Sequence, residues 1–559
     1  MPEGSKHSKA YPAALLLPGD AFDIDQHQVL GRRVAGLSLA KGITAGLEAE
    51  EDLTFLVSSP SERQRLIHLL QPQLPQGARL RIVVGLQSEA PMHAGALHVP
   101  DPGLARWALL RSGRPANAFS LTGVIHTLCS SSVFDSLERL LTAPLQPWDA
   151  LVCTSSAGRE VVQASLDHHR HALERRFGVA LPCPVGPKLP LIPLAVEDPL
   201  SSSPQSRQLR RQAARARLSL PDEAFVVLFL GRLSFHSKAH PLPLYRALAR
   251  LMAERPRAQV HLLECGHLYN TVVAEAYVDL LKDFPQLKLT RIGGLQPASE
   301  GEKQLALEAA SVFVSPADNL QETFGLSVIE AMAAGLPTVV SDWDGYKDLV
   351  DHGVTGLRIP IHAVQSSTDQ LDPLDRTYRL GLIDYDTMVG VRSLAAVLDE
   401  DAMVQALRLL VDQPDRREAM GVAARQRWQS HYCWSVVARQ YRNLWQELAS
   451  LRRDAGQLQA EPSSTAPMAH LFAHYGTGAF HATRVVRKPY ASSPDLLIRP
   501  MQKVFSQLIC GAAQEALIDH LERSYSVDQA DLAALGVPIA NQQAVLALLV
   551  KLGIAEQQH

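Results

Sequence analysis

Short apolar runs, each closed by a turn-forming residue, alternate with stretches of helical period along most of the chain. Residues 13–18 read as a first buried strand, a polar loop follows, and Gly31 opens a helix that carries Leu37, Leu39 and Ile43. Further strand-like runs stand at 53–57, 80–84, 119–127 and 148–156, and a second set at 225–233, 260–266, 289–295, 311–316 and 338–341. Apolar strands separated by helical segments predict doubly wound parallel sheets covered on both faces. From Met403 the helical period returns through Trp428, Trp434 and Tyr441 to Trp445. A Pro/Ser-rich linker at 461–467 then leads to apolar helical periodicity at 516–521 and 544–550.

The pattern is sharpest from 311 to 360. Two apolar runs flank a loop and a helix, giving strand, loop, helix, strand, with Gly325 at the helix start and Gly335 plus Pro337 as its stop, so the helix spans about three turns. Glu322 lies on the loop and Glu330 within the helix, while the N–H groups of Phe324, Gly325 and Leu326 form an anion site at the helix start. Carboxylates accept from hydroxyls. N–H donors beside two such acceptors suit a sugar joined to a nucleotide through a diphosphate, with Glu330 toward ribose hydroxyls and Glu322 toward the sugar. Two glutamates alone also fit an ordinary amphipathic helix.

Two cations stand near another strand end. The run 225–233 closes on Gly231-Arg232, and Lys238 follows six residues after Arg232. A planar guanidinium and a compact ammonium together can neutralise a diphosphate and stabilise charge developing on it as it leaves. By spacing alone they fit two solvated surface charges as well. His126 ends its strand on the edge where ligands of open α/β sheets gather, although a lone histidine there is commonly structural. Gly31 and Arg32 follow the first strand and its loop.

The span Glu322 to Glu330 with the following Glu-Ala-Met-Ala-Ala-Gly-Leu-Pro, together with Asp342-Trp343-Asp344-Gly345 and Gly353-Val354-Thr355-Gly356-Leu357, resembles the E-x7-E element of retaining glycosyltransferases of family 4. Gly231-Arg232-Leu233 with Lys238 resembles the same family's strand-end motif, and 191–197 its hinge, with Ala195 and Glu197 where glycine and aspartate are commoner. The resemblance covers about four-fifths of the chain, strongly from 224 to 360. It implies an α/β chain of two Rossmann-like domains facing a cleft, the GT-B fold, with a late helix crossing back to the first. It further implies Arg232, Lys238, Glu322 and His126 as catalytic residues, and Glu330, Phe324, Gly325, Leu326, Gly31 and Arg32 as substrate-binding residues. Same-face displacement without metal or cofactor follows from the same likeness, as does a nucleotide-diphosphate sugar as donor. A GT-B phosphorylase or epimerase, and a non-catalytic sugar-nucleotide-binding regulator, are the alternatives.

Composition narrows the partners. Of 559 residues, 46% are hydrophobic and 20% charged, with a net charge of −3, so no global basic field would capture nucleic acid or anionic membrane. Six cysteines lie far apart without paired metal spacing, which fits reduced thiols in the cytoplasm. No run reaches the length of a membrane span and no signal-type apolar core adjoins the N-terminus, leaving peripheral membrane contact open. The expected organisation is an acceptor-side domain at 1–197, a nucleotide-sugar domain at 198–452, and a small mainly helical module at 468–559 that resembles a winged helix. Residues 512–559 hold six acids against two bases, which disfavours phosphate contacts and favours protein or acceptor recognition by that module.

Overall fold

The computed structural model describes residues 9–23, 31–85, 89–181, 186–199, 207–364, 372–460, 466–489, 509 and 511–558. Most of the linker at 461–467, the Ser-rich stretch from 201 to 204, Cys183 and Cys510 lie outside them. The chain divides into two compact units, Met1–Ser464 and Thr465–His559.

The first unit holds two parallel sheets. One is built from β1 (Lys9–Ala10), β2 (Ala14–Leu16), β3 (Glu51–Val57), β4 (Arg79–Val84), β5 (Ala96–His98), β6 (Ser120–Val124) and β7 (Ala150–Val152). β3 pairs with β4 on one side and with β1 and then β2 on the other, and β5, β6 and β7 follow β2. The second runs β10-β9-β8-β11-β12-β13, from β8 (Phe225–Leu230), β9 (Val260–Cys265), β10 (Leu289–Ile292), β11 (Val312–Ser315), β12 (Thr338–Ser341) and β13 (Gly356–Ile359). Both follow the doubly wound plan, in which the strand order reverses beside the first strand and opens a crevice at the carboxyl ends. β8 and β11 are buried along their whole lengths, as strands covered on both faces must be.

The helix Trp434–Asp454 leaves the second sheet and packs on the first. Trp445 is buried in the first sheet's core and donates through Nε1 to Thr122 Oγ1 at 3.1 Å, while Arg442 meets the buried Glu51 at 2.6 Å. Gly42, in the helix Gly31–Ala45, makes the close approach possible, since a Cβ there would fall 2.0 Å from the Trp434 ring.

Beyond β13, β14 (Ile361–Ala363) and β15 (Ala396–Leu398) pair antiparallel, and the helices Pro373–Arg379 and Tyr385–Ser393 lie between them in sequence. The described residues of the second unit are mainly helical, as expected, with a small sheet beside the helices. Its helices Gly511–Arg523, Gln529–Ala534 and Ile539–Lys551 accompany a three-stranded antiparallel sheet of β16 (Arg484–Arg487), β17 (Ser526–Asp528) and β18 (Ala555–Gln557), ordered β17-β16-β18. Val485, Leu517, Val527, Leu546 and Ile554 fill its core. Among the described residues, no helix is long and apolar enough to cross a membrane.

Candidate active site

β8 and β9 end side by side. Gly231 and Gly266 follow them, and a Cβ on Gly266 would come within 1.8 Å of the Gly231 carbonyl oxygen, so only glycine lets the two strand ends approach this closely. The chain then turns through 231–240. Ser234 accepts from the N–H of Ser237 at 3.3 Å and lies 2.9 Å from its hydroxyl, which pins the turn. The turn presents Arg232, whose Nη1 donates to Ser237 Oγ at 3.3 Å and whose guanidinium lies 5.9 Å from the centre of the Tyr269 ring.

Lys238, on the same turn, reaches the loop before the helix Leu326–Ala333. Its Nζ donates to Glu322 Oε2 at 2.6 Å and to Tyr346 Oη at 3.2 Å, and Tyr346 Oη lies 2.8 Å from Ser315 Oγ at the end of β11. Burial opposes charge on both partners, yet the pair prevails. It raises the Lys238 pKa above the ordinary lysine value through Glu322 and Tyr346, and lowers that of Glu322 through Lys238 and the N–H groups of Phe324 and Thr323. Asp344 is the second carboxyl of the cluster. Burial first and the charge of Glu322 second push it well above the usual range, because one ammonium cannot neutralise two adjacent carboxylates in a dry site.

Gly325 starts the helix at φ +111°, and a Cβ there would meet Tyr346 Cε1 at 2.4 Å. Phe324 is buried, its ring 6.3 Å from that of Tyr432, so only its backbone faces the loop, with its N–H 3.5 Å from Glu322 Oε1. The helix closes at Gly335, φ +72°, with the Leu336 N–H returned to the Ala331 carbonyl. Glu330 lies one turn into it and accepts from Lys303 Nζ at 3.0 Å. Lys303 comes from the neighbouring helix Glu300–Ala309 and also meets Glu300 at 3.0 Å. Sequence spacing carried no signal for Lys303 or Tyr346, and Asp344 stood only within the Asp342-Trp343-Asp344-Gly345 stretch of the resemblance, without a role.

The remaining candidates sit on the first sheet. His126 follows β6 by two residues. Burial, and next the charge of Arg32, push it down to about 4, so at neutral pH it is an uncharged imidazole, with a hydrogen bond to the Pro100 backbone. Arg32 pairs with Asp20 on the exposed side of the helix Gly31–Ala45. Gly31 faces open space, with nothing within 4 Å of a Cβ, whereas Gly36 is the tight position, where a Cβ would fall 2.1 Å from the Ala21 carbonyl oxygen.

The two sheets meet at the loop. Ser155 Oγ donates to the Thr323 carbonyl at 2.6 Å, and Ser156 donates its N–H to Asp348 Oδ2 at 2.5 Å, so the N-terminus of the helix Ser156–Phe177 holds a carboxylate from the other sheet. Glu264, on β9, is not a free acceptor. Tyr245 donates to it at 2.5 Å and Arg291 at 2.9 Å. Among the described residues, no group of three His, Cys, Asp or Glu could hold a metal ion.

Parts of the chain are similar to known proteins. Residues 210–374 match the glycosyl transferases group 1 family. The D-inositol 3-phosphate glycosyltransferase of Thermobispora bispora is 33% identical over 202 residues, 35% of this chain and 46% of that protein. The enzyme of the same name from Corynebacterium kroppenstedtii is 26% identical over 322 residues, 57% of this chain and 55% of that protein. The chain thus spans about half the length of these relatives. Among solved structures, Anabaena HepE in complex with UDP has a TM-score of 0.50 at 12% identity, covering 78% of this chain and 100% of that one. A glycosyltransferase from Rickettsia africae has the same score and identity, covering 79% and 99%. Residues 210–374, with Arg232, Lys238, Glu322 and Glu330 among them, thus match the glycosyl transferases group 1 model, in a chain whose two parallel sheets have the GT-B fold.

Proposed function

We propose that this protein is a retaining glycosyltransferase that moves a sugar from a nucleoside-diphosphate sugar to an acceptor hydroxyl. The observation that carries the reading is the buried Lys238–Glu322 pair, 2.6 Å long, set beside Arg232 at the strand ends of the family-matched sheet. Arg232 and Lys238 neutralise the diphosphate and stabilise the charge it gains as the bond to the sugar breaks, the part a metal plays elsewhere. Glu322 accepts from hydroxyls of the transferred sugar, and Glu330, held by Lys303, from those of the ribose. His126, neutral at physiological pH, offers a hydrogen bond to the sugar from the first sheet. The N–H groups at Gly325 and Leu326 face the diphosphate.

Retention is read from the E-x7-E spacing of Glu322 and Glu330. The leaving phosphate takes the acceptor's proton on the face it departs from. In this reading 1–197 present the acceptor, 198–452 hold the donor, and the unit after Thr465 recognises acceptor or protein.

The test is nucleotide release. UDP-glucose and other nucleotide sugars are offered with and without a panel of acceptor hydroxyls, and product and anomeric configuration are read by mass spectrometry and NMR. Acceptor-dependent release of nucleoside diphosphate with retained configuration is expected. Release of sugar 1-phosphate, or of an inverted product, would refute the reading.

A further inference from the structure

The helices Pro373–Arg379 and Tyr385–Ser393 touch both sheets at once. Toward the first sheet, Tyr378 Oη accepts from the Ser131 N–H at 3.0 Å, at the start of the helix Ser131–Arg139. Arg379 meets Glu138 at 2.9 Å and Asp135 at 3.4 Å, with its guanidinium 5.6 Å from the Phe134 ring centre. Cys129, Met388 and Val389 are buried together in a small apolar cluster with Tyr378 and Ile383 around it.

Toward the second sheet the contacts reach the donor loop. Tyr385 Oη lies 3.3 Å from Cys129 Sγ and donates to Gln321 Oε1 at 3.2 Å. Gln321 directly precedes Glu322, and its Nε2 donates to the Ser237 carbonyl at 3.2 Å, on the turn that carries Lys238. Asp386 accepts from Tyr269, the ring under Arg232, and lies 3.7 Å from His236 Nε2. The one hydroxyl of Tyr385 thus joins a residue of the first sheet's loop to the residue beside Glu322.

We propose that Tyr385 is a positioning residue for the donor site and that the two helices are a strap transmitting occupancy of that site to the helix Ser131–Arg139. The proposal rests on the donor-site reading above. A nucleoside diphosphate drawing Lys238 and Arg232 toward its phosphates tightens the 231–240 turn. Through Gln321 and Tyr269 it tightens the strap as well, and through Tyr378 and Arg379 the strap orders the first sheet's face of the cleft. An acceptor would then meet an ordered face only when the donor is in place.

The test is amide hydrogen exchange on the full chain, with and without UDP, for wild type, Tyr385→Phe and Arg379→Ala. In wild type, UDP is expected to slow exchange both at 318–324 and in Ser131–Arg139. Each variant should speed exchange in Ser131–Arg139 about tenfold without ligand and abolish its response to UDP, while Arg379→Ala, whose partners Asp135, Glu138 and Phe134 lie outside the donor site, keeps UDP affinity within about threefold. A merely structural role would lower the melting temperature yet leave the response of Ser131–Arg139 to UDP intact, and that outcome overturns the proposal. Failure of wild type to bind UDP speaks against UDP as the donor nucleotide. The ligand-free comparison still decides the strap, because unchanged exchange at 131–139 and 318–324 in both variants would overturn it.

Discussion

Lys238 Nζ stands 2.6 Å from Glu322 Oε2, a contact spanning 84 positions of sequence that ties the turn after β8 to the loop before the helix Leu326–Ala333. Both groups are largely withdrawn from solvent, with side-chain exposures of 13% and 19%. A pair in that environment is charged and held in place, and removing either partner leaves the other as an uncompensated buried charge.

Replacing Lys238 with alanine should lower turnover about a hundredfold or more, the range seen when one group stabilising transition-state charge is removed. UDP affinity should fall less than turnover. Steady-state kinetics with parallel calorimetry of UDP binding checks the split. Loss confined to affinity would assign Lys238 to ground-state binding alone.

Glu330→Gln should weaken UDP binding by about 1.5–3 kcal/mol, as expected when a charged acceptor of hydroxyl hydrogen bonds becomes a neutral amide. Lys303→Met should weaken it by a smaller amount, because Lys303 orients the carboxylate at 3.0 Å and touches no ribose itself in this reading. Calorimetry on the double variant should give less than the sum of the single effects, the mark of two groups acting as one. Strict additivity would dissociate Lys303 from the ribose site.

The site was legible in the sequence as far as its signals are local. The stretch from 311 to 341 announces strand, loop, helix and strand within some thirty positions, because apolar runs, Gly325 and Gly335-Leu336-Pro337 all act over one or two turns. Glu322 and Lys238 could each be set on a strand-end loop, but spacing says nothing of the bond between them. Lys303 reaches Glu330 across 27 positions, Tyr346 reaches Lys238 across 108, and the Asp384-Tyr385-Asp386 stretch acquires contacts only when both sheets are folded. Likewise β16, four residues beginning and ending in arginine, pairs with strands some 40 and 70 positions further on and carries no helical or alternating pattern of its own.

Gly325→Ala should destabilise the first unit. The residue sits at φ +111°, which an L side chain rarely adopts, and its Cβ would collide with the Tyr346 ring at 2.4 Å. A strained residue of this type costs about 1–3 kcal/mol before the ring is displaced. Urea unfolding should show at least that loss. Because Tyr346 also holds Lys238, transfer should fall even under conditions in which the variant is fully folded.

Asp318 links stability to pH. It is buried on the loop after β11 with Oδ1 unpartnered, and burial pushes it up to about 7 from an ordinary value of 3.8. Between those values the native state binds a proton that the unfolded chain has released, so stability is full below about 4 and declines as pH rises through 7. Asp318→Asn cannot titrate. At pH 8 it should be more stable than wild type by about 1–3 kcal/mol, and the gain should vanish near pH 4. Equal thermal stabilities at pH 8 would mean that the carboxylate is solvated there.

Truncation separates the two units, and the place of the cut matters. Asn117 donates to the carbonyls of Arg452 and Gly456, Arg452 Nη1 donates to the Asn117 carbonyl at 3.2 Å, and Pro115 bridges Ala460, so the segment up to 460 closes the first sheet's unit. A chain ending at Ser464 keeps these contacts, whereas one ending at Arg453 loses the Gly456 and Ala460 bonds. The longer truncation should stay folded with UDP affinity within about twofold of wild type, since burial and pairing at Lys238, Glu322 and Glu330 involve only the first unit. The shorter should melt earlier. Transfer to the natural acceptor should fall in both. Aggregation of the chain ending at Ser464 would show that the last hundred residues complete the first unit's core, and undiminished transfer would assign them a partner other than the acceptor.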